Sequence, residues 1–331
     1  MIRDVFVTWS EMSDKVLAGE ALTRLDALAV LQSPDGDLRD VVEAAFKVRL
    51  KHHGLRVNLH VLRNAKSGLC SEDCSFCSQT LRAESGVERY RMQTVGEIVE
   101  GAREAVKLGA VKYCVVASGR APSAGDLDVV CEAAAAIKKE MRIHLCVSLG
   151  LLTPDQARRL SASGVDRYNH NLETSRRFFP SICTTHSYDD RIATVRAARA
   201  AGLEACCGGI VGLGETLEDR VDWAFTLREL EVEAIPVNFF NPRPGTGLSD
   251  LASPSPGDGL RALAMVRLVN PARDIRAAGG REACLGDLQP LALYLANSIF
   301  TNGYLTTPGQ GYSADLEMVK GAGFEVGVIE A

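Results

Sequence analysis

No stretch of these 331 residues approaches the roughly 18 consecutive apolar positions that a membrane-spanning helix needs. The opening Met1-Ile-Arg-Asp-Val-Phe6 lacks the basic-then-apolar order of a secretory signal, so the chain reads as cytoplasmic. There is no stripe of Arg and Lys either. With 37 basic and 42 acidic side chains the net charge is -5, which argues against nucleic acid or a membrane as a partner. Also missing is an early G-x-G-x-x-G between a first strand and a first helix. Gly209-Ile-Val-Gly212-Leu-Gly214 comes too late and has the wrong spacing, which disfavours a doubly wound dinucleotide-binding sheet.

What the chain does have is ten cysteines. In a small secreted protein they would read as a disulfide framework. In a chain of this size, with Cys206 adjacent to Cys207 and a close triplet upstream, they read as thiolate ligands in a reducing compartment. The triplet is Cys70, Cys74 and Cys77, a C-x3-C-x2-C run just past the apolar stretch 57–62. Three thiolates hold three irons of a four-iron cubane and leave the fourth open, which suits a cluster that binds and reduces something. Structural zinc usually takes four ligands in paired C-x2-C units, which this run does not supply.

Hydrophobic periodicity alternates along the chain. Strand-like runs fall at 57–62, 111–117, 142–149, 165–169, 203–211, 234–240, 274–278 and 296–300. Helical patterns fill the gaps at 95–108, 127–139, 154–163, 188–201, 217–230, 259–269, 288–295 and 314–321, after two more at 12–31 and 38–49. Eight strand-plus-helix units with short links predict an α/β fold, a (β/α)8 TIM-type barrel. The expected division is an N-terminal helical extension at 1–54 and a barrel with a C-terminal cap segment at 55–331. The Pro- and Gly-rich stretches 241–245 and 253–257 read as one long loop after the sixth strand.

Side chains at i and i+2 of a strand share a face. Cys114, Cys146, Cys206 and Arg276 lie in the second, third, fifth and seventh expected strands, so if all four point inward they converge on one site. Such a set fits a two-iron, two-sulfide cluster with an unusual Arg ligand; the alternative is three core thiols and an Arg paired to a carboxylate. Asn169, Asn171 and Asn238 stand at strand ends where a packed barrel would carry Val or Ile. They point either to a bound small molecule or to a structural hydrogen-bond network, while His170, alternating with them, is expected to be structural.

Taken together, these residues resemble the biotin synthases, a family of radical S-adenosylmethionine (SAM) enzymes. The resemblance runs from about Asn58 to Glu325. It is carried by Asn64-Ala-Lys-Ser-Gly-Leu-Cys-Ser-Glu-Asp-Cys-Ser-Phe-Cys-Ser-Gln79, Tyr113-Cys-Val-Val-Ala-Ser-Gly-Arg120, Tyr168-Asn-His-Asn-Leu-Glu-Thr174, Gly208-Gly-Ile-Val-Gly-Leu-Gly-Glu215 and Ile275-Arg-Ala-Ala-Gly-Gly-Arg-Glu282. It implies that Cys70, Cys74 and Cys77 ligate a [4Fe-4S] cluster whose open iron binds SAM. Cys114, Cys146, Cys206 and Arg276 then ligate an auxiliary [2Fe-2S] cluster. Phe76, Asn171, Glu173, Arg191, Gly209 and Ile210 fall on the SAM side, and Asn169, Asn171 and Asn238 around dethiobiotin. The implied reaction is radical insertion of cluster sulfide into dethiobiotin to give biotin. The implied partners are an electron donor such as flavodoxin or ferredoxin, iron–sulfur assembly proteins and a second copy in a homodimer. The alternative is another radical SAM enzyme of the same barrel type, a mutase, lyase or maturase without sulfur donation.

Several cysteines remain outside these sets. By strand alternation Cys207 should face the helix layer. Cys284 reads as a core or surface thiol near the strand that carries Arg276, and Cys131 as core on an Ala-rich helix. Cys183, in a loop, suggests no role.

Overall fold

The computed structural model describes residues 8–328; residues 1–7 and 329–331, including the opening run read for signal character, lie outside them. Helices α1 (Trp9–Leu17), α2 (Arg24–Leu31) and α3 (Leu38–His53) come first. The single helical pattern expected over 12–31 is therefore two helices. Thr23 restarts the second: its hydroxyl accepts from the Asp26 N–H while the Asp26 carboxylate accepts from the Thr23 N–H, satisfying donors that a helix start leaves orphaned.

The barrel follows. Its strands are β1 (Arg56–Lys66), β2 (Lys112–Ala117), β3 (His144–Ser148), β4 (Arg167–Asn169), β5 (Glu204–Cys206), β6 (Gly209–Val211), β7 (Ala234–Phe239), β8 (Asp274–Ala277) and β9 (Ser298–Thr301). Every pairing is parallel, and β9 returns to β1 from Asn58↔Ser298 to Val61↔Thr301, so the sheet closes on itself. β5 and β6 both pair with β7 and share one position around the wall, which makes this an eight-membered (β/α)8 barrel.

The strand expected over 203–211 is thus broken at Cys207 and Gly208. Opposite the break stands Pro236, which has no N–H to give the ladder. The Gly208 carbonyl points the other way, toward the chain after β4, and accepts from the Leu172 and Glu173 N–H groups. A Cβ on Gly208 would lie 1.9 Å from the Pro236 carbonyl oxygen, so only glycine fits here.

Helices α4 (Val95–Lys107), α5 (Ala124–Glu140), α6 (Pro154–Ala162), α7 (Tyr188–Ala200), α8 (Leu217–Glu229) and α9 (Pro256–Val269) form the outer layer. Helix α10 (Arg281–Leu285) ends where Gly286 takes a positive φ of 49°, and the helix expected over 288–295 is shortened to α11 (Gln289–Ala292). Helix α12 (Tyr312–Gly321) and β10 (Glu325–Val326), which pairs with the start of β1, end the chain's described part.

Outward strand residues and inward helix faces form the apolar layer. Ile98, Leu127, Ile137, Leu145 and Leu160 pack under α4 to α6. Val41 and Val48 of α3 join Leu263 and Val266 of α9 in a second cluster, so the N-terminal helices share the barrel's own core. Each such fully buried side chain contributes roughly 1.5–3 kcal/mol.

Inside the wall the chemistry changes. The lower end holds a lattice of charges: Asp274 sits 2.9 Å from Lys112 and 3.1 Å from Arg167, and Arg167 lies 2.6 Å from Glu204. Above it come the small side chains of Cys114, Cys146 and Ala278 with the Phe300 ring. The barrel is therefore plugged below and open toward the C-terminal ends of its strands, where barrel enzymes place their sites.

Candidate active site

A cavity of about 440 Å³ opens at that end, within the range of small-molecule sites. The loop after β1 brings Cys70, Cys74 and Cys77 to its wall, together with Phe76. Burial raises the pKa of Cys77 to about 11 and that of Cys70 in the same direction. A metal that binds these thiols must displace their protons.

Deeper in the same cavity lie Cys114, Cys146 and Arg276. Cys206 completes the group. The Cys146 thiol faces both Cys114 and Cys206, and Arg276 Nη1 is 4.0 Å from Cys206 Sγ. A hydrogen bond from Cys146 pulls Cys206 down to about 5 against the effect of burial, with Arg276, Arg167 and Asn169 adding to it. Burial works to lower the Arg276 pKa, but the Cys206 thiolate and Asp274 outweigh it and the net direction is up. The Arg276 Nε is buried without a partner. Three converging thiols and an under-satisfied guanidinium make a soft donor set that fits sulfur-bound iron and is a poor apolar core.

Between the two cysteine groups runs a polar ledge. Asn169 Nδ2 is 3.2 Å from Cys206 Sγ and 3.2 Å from Asn171 Oδ1, and the Asn171 amide reaches Glu173 at 3.4 Å. Asn238 donates to the Gly209 carbonyl at 3.1 Å and accepts from the Gly279 N–H at 2.9 Å. All four side chains line the cavity, so the hydrogen-bond network and the ligand wall are one feature. Glu173 takes an unusual left-handed φ of 69°, and burial raises its carboxyl pKa against the pull of Arg191. Arg191 and Ile210 also line the cavity. Gly209 does not: its backbone packs under Glu173, where a Cβ would meet the Glu173 carbonyl oxygen at 2.4 Å. His170 is buried yet also lines the cavity, with Nε2 unpartnered.

Among the other cysteines, Cys207 is buried in the helix-facing core, and Cys284 packs in the same core with Sγ 3.5 Å from the Pro254 carbonyl oxygen. Cys131 is only half buried, lodged between α5 and α6 beside the Arg159 carbonyl. Cys183 is not an idle loop thiol. It is 4% exposed, with Sγ 3.7 Å from Cys74 Sγ and 3.3 Å from His186 Nδ1. Cys74, Cys183 and His186 bring one ligand atom each within 4.8 Å of one another. The Cys183-Thr-Thr-His186 spacing was the signal available in the sequence for this cluster.

The radical SAM superfamily profile matches residues 66–227, from the triplet through Cys206. The profile of the biotin and thiamin synthesis associated domain matches 236–325, the part that carries Asn238 and Arg276. A curated biotin synthase from Salinibacter ruber is 54% identical over 97% of this chain and 90% of its own length. One from Bacillus subtilis (strain 168) is 45% identical over 97% of this chain and 96% of its own. The chain belongs to the biotin synthase family. It is a radical SAM enzyme with an iron–sulfur and SAM-binding site.

Solved structures of other activities share the fold. Methylornithine synthase superposes with a TM-score of 0.83 at 23% identity, covering 96% of this chain and 97% of its own. The FeFe-hydrogenase maturase HydG from Carboxydothermus hydrogenoformans gives 0.82 at 19%, covering 98% and 80%. Those likenesses speak to architecture alone, whereas the two biotin synthases match 97% of this chain in sequence. Among the described residues, no helix is long and apolar enough to cross a membrane.

Proposed function

We propose that this chain converts dethiobiotin to biotin by radical sulfur insertion, with both cysteine groups acting in one cavity. The observation that supports this reading is that Cys70, Cys74 and Cys77 share a single cavity with Cys114, Cys146 and Arg276. In this reading Cys70, Cys74 and Cys77 hold a [4Fe-4S] cluster, and Cys114, Cys146, Cys206 and Arg276 hold a [2Fe-2S] cluster. When bound, the clusters and SAM would supply the electron, the radical that abstracts hydrogen from carbon, and the sulfide. The protein's own part is to place and enclose.

Glu173 and Asn171 offer an acceptor and an amide suited to ribose hydroxyls, Arg191 offers its guanidinium to a carboxylate, and Phe76 and Ile210 supply apolar surface for an adenine. Asn169 and Asn238 carry the amide complement of a cyclic urea such as that of dethiobiotin. Phe240, Tyr304 and Leu305 add largely apolar surface to the cavity wall, which would limit water around a reactive species. The charged lattice beneath acts on the second site: Arg167 helps lower the Cys206 pKa and Asp274 helps raise that of Arg276. Partners on this reading are dethiobiotin, a flavodoxin- or ferredoxin-type electron donor, iron–sulfur assembly proteins and a second copy of the chain, all in the cytoplasm.

Anaerobic reconstitution with iron and sulfide, then incubation with SAM, reductant and dethiobiotin, tests the proposal. It expects 5'-deoxyadenosine, methionine and biotin together. Steady formation of 5'-deoxyadenosine with no biotin would reject sulfur insertion.

A further inference from the structure

The reading above leaves Cys183 and His186 unused, yet they sit against Cys74 in a constellation that suits one metal ion. Thiolates of a cubane each hold a different iron and stand well apart, whereas Cys74, Cys183 and His186 bring their ligand atoms within 4.8 Å of one another. The supporting groups are built in. The Glu72 carboxylate contacts His186 Nδ1 and accepts from the Thr185 hydroxyl at 2.6 Å, so Nδ1 carries the ring proton and Nε2 offers the lone pair. A carboxylate behind a histidine fixes its tautomer and raises its basicity as a ligand.

A cation already occupies these donors. The Arg191 Nε–H donates to His186 Nε2 at 2.9 Å, and Nη2 lies 3.9 Å from Cys74 Sγ. The guanidinium is also anchored on its other side, where Nη1 donates to the Asn171 carbonyl at 2.7 Å and stands 3.5 Å from Glu173 Oε1. It can therefore give up the His186 and Cys74 contacts without being stranded.

We propose that, before the iron–sulfur cluster is built, the thiolates of Cys74 and Cys183 and Nε2 of His186 bind a single zinc-class divalent cation where the Arg191 guanidinium now stands. Two thiolates and an imidazole with one position open to water match the donor preferences of such an ion. Binding releases the thiol protons and involves no change of oxidation state. Cation binding goes beyond the sulfur-insertion reading and does not depend on it. A consequence that does require Cys74 to serve the cluster is competition: the bound cation withholds the middle thiolate of the triplet from iron.

The test uses the full chain purified without added iron or sulfide and kept reduced, titrated with Co²⁺ and back-titrated with Zn²⁺. One Co²⁺ per chain with a thiolate-to-cobalt charge-transfer band is expected. Cys183→Ser and His186→Ala should each weaken binding by more than about 100-fold, beyond the roughly 10–100-fold typical of outer partners and expected for Glu72→Gln. Cys70→Ser should leave band and affinity unchanged. Arg191→Ala should tighten binding, because it removes the competing cation, a gain that mere disruption of the loop would not produce. Circular dichroism confirms that each variant is folded.

Wild-type affinity in Cys183→Ser, loss of the band in Cys70→Ser, or equal or weaker binding in Arg191→Ala would overturn the proposal. In a second arm, zinc pre-loading should slow iron uptake by the wild type, measured as bound iron. Cys183→Ser should be relieved of that delay, and an equal delay in both would overturn the competition.

Discussion

Asp274→Asn removes the one negative charge that faces both Lys112 and Arg167 at the barrel floor, where the carboxylate lies 2.9 and 3.1 Å from them. The side chains of Lys112, Arg167 and Asp274 are 12%, 5% and 13% exposed, so water cannot take over the lost role. Asparagine can still accept from the Ser298 hydroxyl and the Asn297 amide through Oδ1. On the other side it presents an NH2 group to two cations. Breaking a buried ion pair from one side costs about 3–5 kcal/mol, roughly two to four powers of ten in the folding equilibrium. With a urea slope of about 3 kcal/mol per molar, the unfolding midpoint should fall by about 1–1.7 M.

The control is Arg103→Ala, which breaks the pair to Glu140, whose side chains are 42% and 44% exposed. Exposed pairs are worth at most about 1 kcal/mol. The pH dependence has a definite sign. Burial pushes the Asp274 pKa up, but Lys112 and Arg167 outweigh it and hold the carboxyl well below its ordinary 3.8. Its contribution is therefore fully present above pH 3.8 and is lost as the pH falls through the depressed folded value. The gap between wild type and Asp274→Asn should stay constant from neutral pH to about 4 and close below it. A midpoint shift no larger than that of Arg103→Ala would refute the buried-lattice argument.

Three further outcomes follow from the geometry. Gly208→Ala places a Cβ 1.9 Å from the Pro236 carbonyl and should cost several kcal/mol, with loss of SAM binding by equilibrium dialysis even where the protein still folds. Cys74→Ala should abolish SAM cleavage, measured as 5'-deoxyadenosine, whereas Cys207→Ala, in the helix-facing core, should retain it. Asn171→Ala removes the amide that accepts from the Asn169 amide and the Gly208 N–H, and should raise KM for SAM or dethiobiotin. Unchanged kinetics for both would reject its binding role.

The alternation of apolar runs makes the barrel readable in the sequence, because each strand and its crossover helix carry their own local period. Register was harder to read. The break between β5 and β6 depends on Pro236, a residue some thirty positions away that withholds an N–H at that level of the wall. Strand parity left the convergence of Cys114, Cys146, Cys206 and Arg276 conditional on all four pointing inward, with core thiols as the alternative; it was the family resemblance that implied the set. Cys183 suggests no role in the sequence because a loop has no periodicity from which to infer direction; only folding brings it to Cys74, across 109 positions. The charged floor was equally hidden, since Lys112, Arg167 and Asp274 each look like an exposed strand start in sequence. Their burial follows from closing the barrel.

The central claim is that the second cysteine site hands its sulfide to carbon. Reconstituting the protein with heavy-isotope sulfide, removing free sulfide, and analysing the product of the first turnover by mass spectrometry tests it most directly. The account predicts biotin that carries the heavy label, and none formed by Cys146→Ala although that variant still cleaves SAM. Unlabelled biotin from the wild type, or biotin from Cys146→Ala, would contradict it.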